Sequence, residues 1–511
     1  MLRKLLIFAA AITLLHLAGG ATRSQEANLD SQLFAQPSEK LIAALKAKAE
    51  EAEIFSASPD GATQIPLERY SSAKGAWSAT NVVTLKLAPN LTTEDIDELI
   101  KRYNFTLDSA APDLGVLTVR ADLAEVFPET LTTSEWLAAA ASVSQRYDED
   151  PRVLAASPEI GLGEQTETPV DPTGVATLDT AALLSELSPG EHQSWGIDDI
   201  QAEKLWPLLR FPVQRIVAVF DTGFALHEDI PYVDGIDGSA RKDHGNHVAG
   251  ILCGLHNDKG FRGVLPYCGV RAKVHAFGID PSEAFTESRR GAMFQSLMES
   301  FQDFVRKQQQ VAVFNVSLGY NWHLLKRADP TFEFENNVSL TTLVEAQARF
   351  LYQVIADANA RNIPIISAAG NDSRGLATPF DAKWASPFNY AALTACEARG
   401  LCNTMVVEAH DPEAKLAVFS NKGGDISCPG VNIESALAAP STSAYGLMSG
   451  TSMASPFCAG GIALLSSLFT DRPVAELITC LKASRARNSI GTPMMRLQEA
   501  YSTCGGGNSR Q

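Results

Sequence analysis

From residue 195 to the end of the chain, short apolar runs alternate with longer helical patterns. The runs are Ile216–Phe220, Ala272–Phe277, Val311–Val316, Pro364–Ala368 and Ala391–Ala395, and helical spacing fills Gly291–Arg306 and Leu343–Ala360. Short, mainly apolar runs of this length suit strands buried on both faces. Their alternation with helices predicts an α/β fold with a doubly wound, mainly parallel sheet covered by helices on both faces. A chain of 511 residues, 45% hydrophobic and 20% charged, has the material for a large core and the length for two or three units.

Upstream the organisation changes. Arg3 and Lys4 precede an apolar run, Leu5 to Leu17, and small residues Ala18 to Ala21 follow, so residues 1–21 read as a signal peptide too short to span a bilayer comfortably. No cysteine follows it and no later apolar stretch predicts a membrane span. The expected protein is exported, without a membrane anchor, to a secreted or periplasmic location. Residues 22–80 are an N-terminal extension of unknown role, with one amphipathic helix at Glu39–Ile54. In residues 81–160, strands are expected at Val82–Leu87 and Leu114–Val119 and near Val153–Leu154, and helices at Thr93–Tyr103 (Thr93 as N-cap) and Thr133–Ala141. That β-α-β-α-β order describes a small α+β sandwich. Residues 161–194 are rich in Pro, Thr, Gly and Glu without period, the composition of an exposed, protease-sensitive linker. Residues 195–504 form the large unit.

The net charge is −17 and the pI about 5.0. So acidic a chain repels phosphate backbones and anionic lipid, so nucleic acid is not an expected partner. All eight cysteines lie at or beyond Cys253. Cys396–Cys402 and Cys480–Cys504 are candidate disulfides in an oxidising compartment, while Cys253 and Cys458 could instead be free buried thiols. No Cys-x-x-Cys spacing suggests a metal site.

Four strings carry chemistry. Ser452 lies in Gly450-Thr451-Ser452-Met453-Ala454-Ser455-Pro456, which runs into an apolar helix, so its hydroxyl stands at a helix N-terminus whose amides favour an anionic intermediate. Pro456 is expected in the first turn, where its missing amide costs nothing. A serine hydroxyl needs a base to become a nucleophile. His247, in Asp243-His244-Gly245-Asn246-His247-Val248-Ala249-Gly250, is assigned that role, and His244 is read as a loop brace. Asp221 ends an apolar strand and would orient the imidazole. Asp-Thr-Gly after a strand also marks aspartic peptidases, but those pair two aspartates in a mostly β fold, and no second such string occurs. Asn371, in Ala368-Ala369-Gly370-Asn371, would donate to the oxyanion.

Taken together, these strings resemble the subtilisin-like serine peptidases (subtilases), over about Trp195 to Leu481. The resemblance implies a serine endopeptidase acting through Asp221, His247 and Ser452, with Asn371 and the Ser452 backbone N–H as oxyanion hole. It implies polypeptide substrates bound as an added strand, with Ser317-Leu318-Gly319 and Ala368-Ala369-Gly370 as the walls of an open first specificity pocket that suits a large apolar side chain. It likens residues 81–160 to the family's propeptide, an intramolecular inhibitor cut off autocatalytically, leaving a monomeric enzyme. No cofactor is required for the chemistry. Structural calcium is allowed by the resemblance, but no oxygen-ligand loop stands out. The contrasting expectation is a non-catalytic binding protein on a subtilase fold, which would be expected to lack one of the four catalytic groups. Departures from the family pattern are Asn246 where Thr is usual and Cys428-Pro429-Gly430 where Ala-Pro-Gly is usual.

Overall fold

A computed structural model describes residues 32–56, 69–71, 77–128, 131–162, 190–209, 215–221, 223–234, 243–269, 272–278, 310–320, 322–323, 326, 331–333, 336–438 and 442–505. The expected signal peptide, nearly all of the linker and the helical pattern at Gly291–Arg306 lie outside the described residues.

The N-terminal unit contains α1 (Glu39–Ser56), β1 (Arg69–Ser71), β2 (Trp77–Leu87), α2 (Thr93–Tyr103), β3 (Thr106–Ala111), β4 (Val116–Arg120), α3 (Thr133–Gln145) and β5 (Val153–Leu162). Its antiparallel sheet runs β1-β2-β4-β3, with β5 also on β2. Two expectations are corrected. The order is β-α-β-β-α-β, because β3 returns the chain beside β4 where a single strand was expected. The N-cap of α2 is Thr92: its hydroxyl accepts from Asp95 N and the Asp95 carboxylate accepts from Thr92 N, a capping box.

The large unit adds β6 (Glu191–His192), α4 (Trp195–Asp199), β7 (Arg215–Asp221), β8 (Tyr232–Asp234), α5 (Asp243–Cys253), β9 (Gly260–Phe261), β10 (Ala272–Gly278) and β11 (Val311–Val316). After these come α6 (Val338–Ala348), α7 (Tyr352–Ala360), β12 (Ile365–Ala368), α8 (Pro387–Arg399), β13 (Thr404–His410) and β14 (Ile426–Pro429). The chain closes with β15 (Ile433–Ala436), β16 (Tyr445–Met448), α9 (Thr451–Leu468), α10 (Val474–Lys482) and α11 (Leu497–Thr503). Among the described residues, the main sheet runs β14-β13-β12-β11-β7-β10-β8 with every pair parallel.

Alternate residues of β7 show the double winding. Val217 and Val219 enter a core shared with α5 and α9, whereas Ala218 and Phe220 enter the opposite core, shared with α7 and α8. Helix α9 is apolar and long enough to cross a membrane, but 89% of it is buried inside the protein, which makes it the central core helix. The run Ala391–Ala395 is helical rather than a strand, because Ser386 caps and Pro387 opens α8. The next strand is instead β13. The pattern at 343–360 breaks into α6 and α7 around Arg349–Leu351. Disulfides join Cys396–Cys402 and Cys480–Cys504 as expected. Cys253 pairs with Cys268, contrary to the free-thiol alternative, while Cys428 and Cys458 are buried and unbridged.

The two units share a core. Leu85, Trp136 and Leu137 of the N-terminal sandwich lie in one buried cluster with Leu340, Leu343 and Val344 of α6. Polar groups fix the register across it: Gln347 Nε2 donates to Ser157 Oγ at 3.0 Å, and the buried Lys86 ammonium donates to Gln353 of α7.

Candidate active site

Strand β7 ends at Asp221, which is fully buried. Helix α5 begins opposite that end because Gly245 has no side chain: a Cβ there would stand 2.1 Å from the Gly223 carbonyl oxygen. This approach sets His244, in the first turn of α5, against the carboxylate. His244 Nδ1 donates to Asp221 Oδ1 at 2.7 Å, and the imidazole keeps 24% of its surface exposed. A ring held through Nδ1 presents Nε2 as the basic nitrogen.

His247 lies one turn further along and is fully buried. Its Nε2 is 2.9 Å from the Ile433 carbonyl and 3.1 Å from that of Gly446, so this nitrogen carries the proton and ties α5 to β15 and the β16 strand. Burial, the largest influence, pushes its pKa down to about 3, so the ring stays neutral. The assignment of His247 as the base is therefore corrected: the imidazole that meets Asp221 is His244, and His247 is a core brace. Both histidines sit three residues apart at the start of one helix, so the string by itself does not separate them. The separating signal is the sequence-distant pair of carbonyls that occupies His247.

Asn246 also braces. Its Oδ1 accepts from Ala225 N at 2.9 Å and from Tyr232 Oη at 2.8 Å. Asp243 Oδ1 accepts from Ala438 N at 2.7 Å. These bonds fix the first turn of α5, which carries His244, from both sides.

Ser452 is the second residue of α9 and 8% exposed. Asn371, beyond the end of β12, accepts from both Thr451 N and Thr451 Oγ1 at 2.9 Å through Oδ1. That turns its Nδ2 donor the other way, 3.5 Å from where a Cβ on Gly450 would stand. Gly370 has φ +96°, a left-handed conformation that suits glycine, and its N–H donates to Thr451 Oγ1 at 3.1 Å. On the other side, Ser317 Oγ donates to the Ser452 carbonyl at 3.3 Å. Pro456 lies inside α9, past the first turn where it was expected. It lacks the N–H that would reach the Ser452 carbonyl four residues back, and Ser317 supplies a donor instead. Ser455 Oγ donates to Asn315 Oδ1 at 2.7 Å, and Asn315 Nδ2 donates to Ser317 Oγ at 2.9 Å, completing a buried chain.

Strands β7, β11 and β12 are neighbours, so their carboxyl ends line up along one edge: Asp221 with His244 at β7, Ser317 against Ser452 at β11, and Gly370 and Asn371 against Thr451 at β12. This is the edge where parallel sheets carry ligands. The two expected pocket walls flank it. Ser317, Ala368 and Ala369 are buried, Leu318 and Gly370 half-buried and Gly319 exposed. The Ala368 and Ala369 carbonyls accept from Asn389 and Asn421 side chains at 3.0 Å, which stiffens the second wall.

Residues 214–489, more than half of the chain, match the subtilase family, Peptidase_S8. The chain belongs to the subtilase family. It carries a subtilisin-like serine peptidase domain on the α/β fold of that family. It is 25% identical over 368 residues to the minor extracellular protease Epr of Bacillus subtilis, covering 68% of this chain but 48% of Epr. It is 28% identical over 283 residues to subtilisin BL of Lederbergia lenta, covering 53% of this chain and 83% of that protein. A thermophilic serine proteinase of a Bacillus species is 27% identical over 286 residues, covering 53% and 57%. The chain thus spans about half the length of Epr and more of the others.

A second polar cluster of this subtilase surrounds Asp229, eight residues beyond Asp221. Asn257 Nδ2 donates to Asp229 Oδ1 at 3.1 Å, and Glu191 Oε1 accepts from the backbone N–H groups of Asn257 and Asp258 at 2.7 and 3.1 Å. Burial pushes the Asp229 carboxyl up to about 7. Two carboxylates and a side-chain amide, from three separate segments, are oxygen donors of the kind a hard cation takes, although Glu191 also pairs with Arg262 at 3.0 Å. Among the described residues no three His, Cys, Asp or Glu side chains group as a metal site.

Proposed function

We propose that this subtilase is an exported serine endopeptidase in which Asp221, His244 and Ser452 act as the triad and Asn371 with the Ser452 N–H as the oxyanion hole. The observation that carries the reading is the 2.7 Å bond between His244 and the buried Asp221 at the edge of the sheet where α9 begins. Ser452 Oγ would attack the scissile carbonyl carbon while His244 Nε2 takes its proton. The tetrahedral oxyanion would accept from Asn371 Nδ2 and the first-turn amide of Ser452, where one side-chain donor is worth about 10²–10³ in turnover. His244 then protonates the leaving amine, the C–N bond breaks, and an acyl-serine remains. Water, deprotonated by the same ring, hydrolyses that ester and restores Ser452. Substrate would lie as an added strand between the segments at Ser317–Gly319 and Ala368–Gly370, with an apolar P1 side chain between the walls.

The second part of the proposal is processing. The N-terminal unit would act as an intramolecular inhibitor, removed by a cut between residues 161 and 194. The core shared between α3, β5 and α6 supports this, since it makes the N-terminal unit a bound partner of the peptidase unit. Calcium is proposed as a structural ion only, held by Asp229, Glu191 and Asn257, where it would neutralise a buried carboxylate. It has no step in the reaction.

A fluorophosphonate probe tests the central claim. Wild type is expected to be labelled at Ser452, Ser452→Ala not at all, and His244→Ala far more slowly. Labelling that is lost in folded His247→Ala but retained in His244→Ala would overturn the triad.

A further inference from the structure

The extension ahead of the sandwich has no part in the reaction, yet its contacts reach both units. Helix α1 is fixed to the sandwich: Leu41, Ala44 and Leu45 enter its core, and Lys48 Nζ pairs with Asp97 at 2.6 Å. Just before it, Ser38 N still donates to the Pro89 carbonyl of the sandwich at 2.9 Å, but Phe34 and Gln36 reach the other unit. Phe34 stacks on Tyr352 at the start of α7, with ring centroids 4.8 Å apart and planes 21° from parallel. The Arg399 guanidinium, at the end of α8, lies 5.2 Å from the Phe34 centroid. Gln36 donates through Nε2 to Asp357 and accepts through Oε1 from Gln353 Nε2 at 3.1 Å. Gln353 is fully buried and also donates to the Asp113 carbonyl at 3.2 Å, so one side chain joins the extension, the sandwich and α7.

We infer that residues 32–56 are a clasp: a docking element whose Phe34–Gln36 tip grips the Tyr352–Asp357 face of α7 and keeps the N-terminal unit on the peptidase unit after the chain is cut. The partner is the chain's own peptidase unit, recognised by an aromatic stack closed by a cation and by paired amide and carboxylate bonds. None of these residues belongs to the catalytic groups, so the clasp acts on release of the fragment and not on turnover. The inference rests on the reading of the N-terminal unit as a removable inhibitor.

The test uses the full chain, as wild type, as F34A/Q36A, and as Asp357→Ala to approach the same contact from the other side. After self-cleavage, the wild-type fragment is expected to co-elute with the peptidase unit and activity to follow a lag. In both variants the fragment is expected to elute apart, with the lag shortened by about tenfold. A variant fragment retained as tightly as the wild-type one would overturn the clasp, as would a cut wild-type chain that never retains its fragment. If the wild-type chain is never cut, the zymogen reading fails instead. The clasp is then judged by hydrogen exchange over α7 in the unprocessed Ser452→Ala chain, where faster exchange on adding F34A/Q36A supports it and unchanged exchange overturns it.

Discussion

At the scale of single residues, the two histidines of α5 have different partners, His244 the Asp221 carboxylate and His247 two backbone carbonyls, and the proposed triad turns on that difference. His244→Ala is expected to lower kcat by about 10⁴ or more with the fold intact. His247→Ala should leave the triad in place and lower the unfolding temperature, because two carbonyls lose their donor. Kinetics and thermal unfolding on the same preparations check both. His247 also gives stability a pH slope. Its ordinary pKa of 6.5 is depressed to about 3 by burial, so between those values the unfolded chain binds a proton that the folded one refuses. Its contribution is therefore full above about pH 6.5 and is lost as pH falls toward 3. Denaturant titrations across that window should show the slope, and His247→Gln, which keeps a donor without a titrating ring, should reduce it. The strings around Asp221, Asn371 and Ser452 made their placement at strand and helix ends legible. The choice between His244 and His247 was not legible, because it turns on carbonyls of Ile433 and Gly446 almost two hundred positions away.

At the scale of elements, the unusual joint is between β11 and α9. Pro456 removes one intrahelical bond beneath Ser452, and the Ser317 hydroxyl, just past β11, takes that place. Ser317→Ala should lower stability by about 1 kcal/mol and reduce kcat more than it raises KM. The same change in a Pro456→Ala background should cost less, since the restored amide can reach the Ser452 carbonyl. A double-mutant cycle in kcat measures this directly. Sequence patterning found β7, β10, β11 and β12 because each is a short, mainly apolar run, and β7, β11 and β12 lie in the buried middle of the sheet. It mistook Ala391–Ala395 for a strand because a short alanine-rich run has no period to read, and the Ser386-Pro387 start of α8 lies several residues earlier. It missed β3 because Thr106–Ala111 is half-buried and mixed in polarity. The cysteine spacing did suggest the Cys480–Cys504 bridge. By the loop-entropy account, removing it should lower stability by about 3 kcal/mol, read as a fall in thermal midpoint.

At the scale of the whole molecule, an ion that binds the folded chain and a cut that divides it would act separately. Asp229 without a cation favours its protonated form, since its carboxyl rises from an ordinary 3.8 to about 7. The apo protein should therefore lose stability as pH rises through that interval, the reverse of the His247 effect. In chelator at pH 8, Asp229→Asn should be more stable than wild type; with added calcium, wild type should gain stability and the variant should not. Differential scanning calorimetry with and without calcium reads both. The cluster was invisible in the sequence because Glu191, Asp229 and Asn257 come from three separate segments. Expression of Ser452→Ala should give a full-length chain by mass spectrometry; a shortened product would show that another protease makes the cut. The same geometry has a consequence for what survives that cut. Every cysteine lies at or beyond Cys253, and all three bridges close within the peptidase unit. No covalent tether joins the two units other than the backbone, so a single hydrolysed bond in residues 161–194 turns one molecule into two. Of these, only the peptidase half would carry cross-links that resist digestion, so under the proposed processing the N-terminal unit would be the consumable part and activation a one-way event.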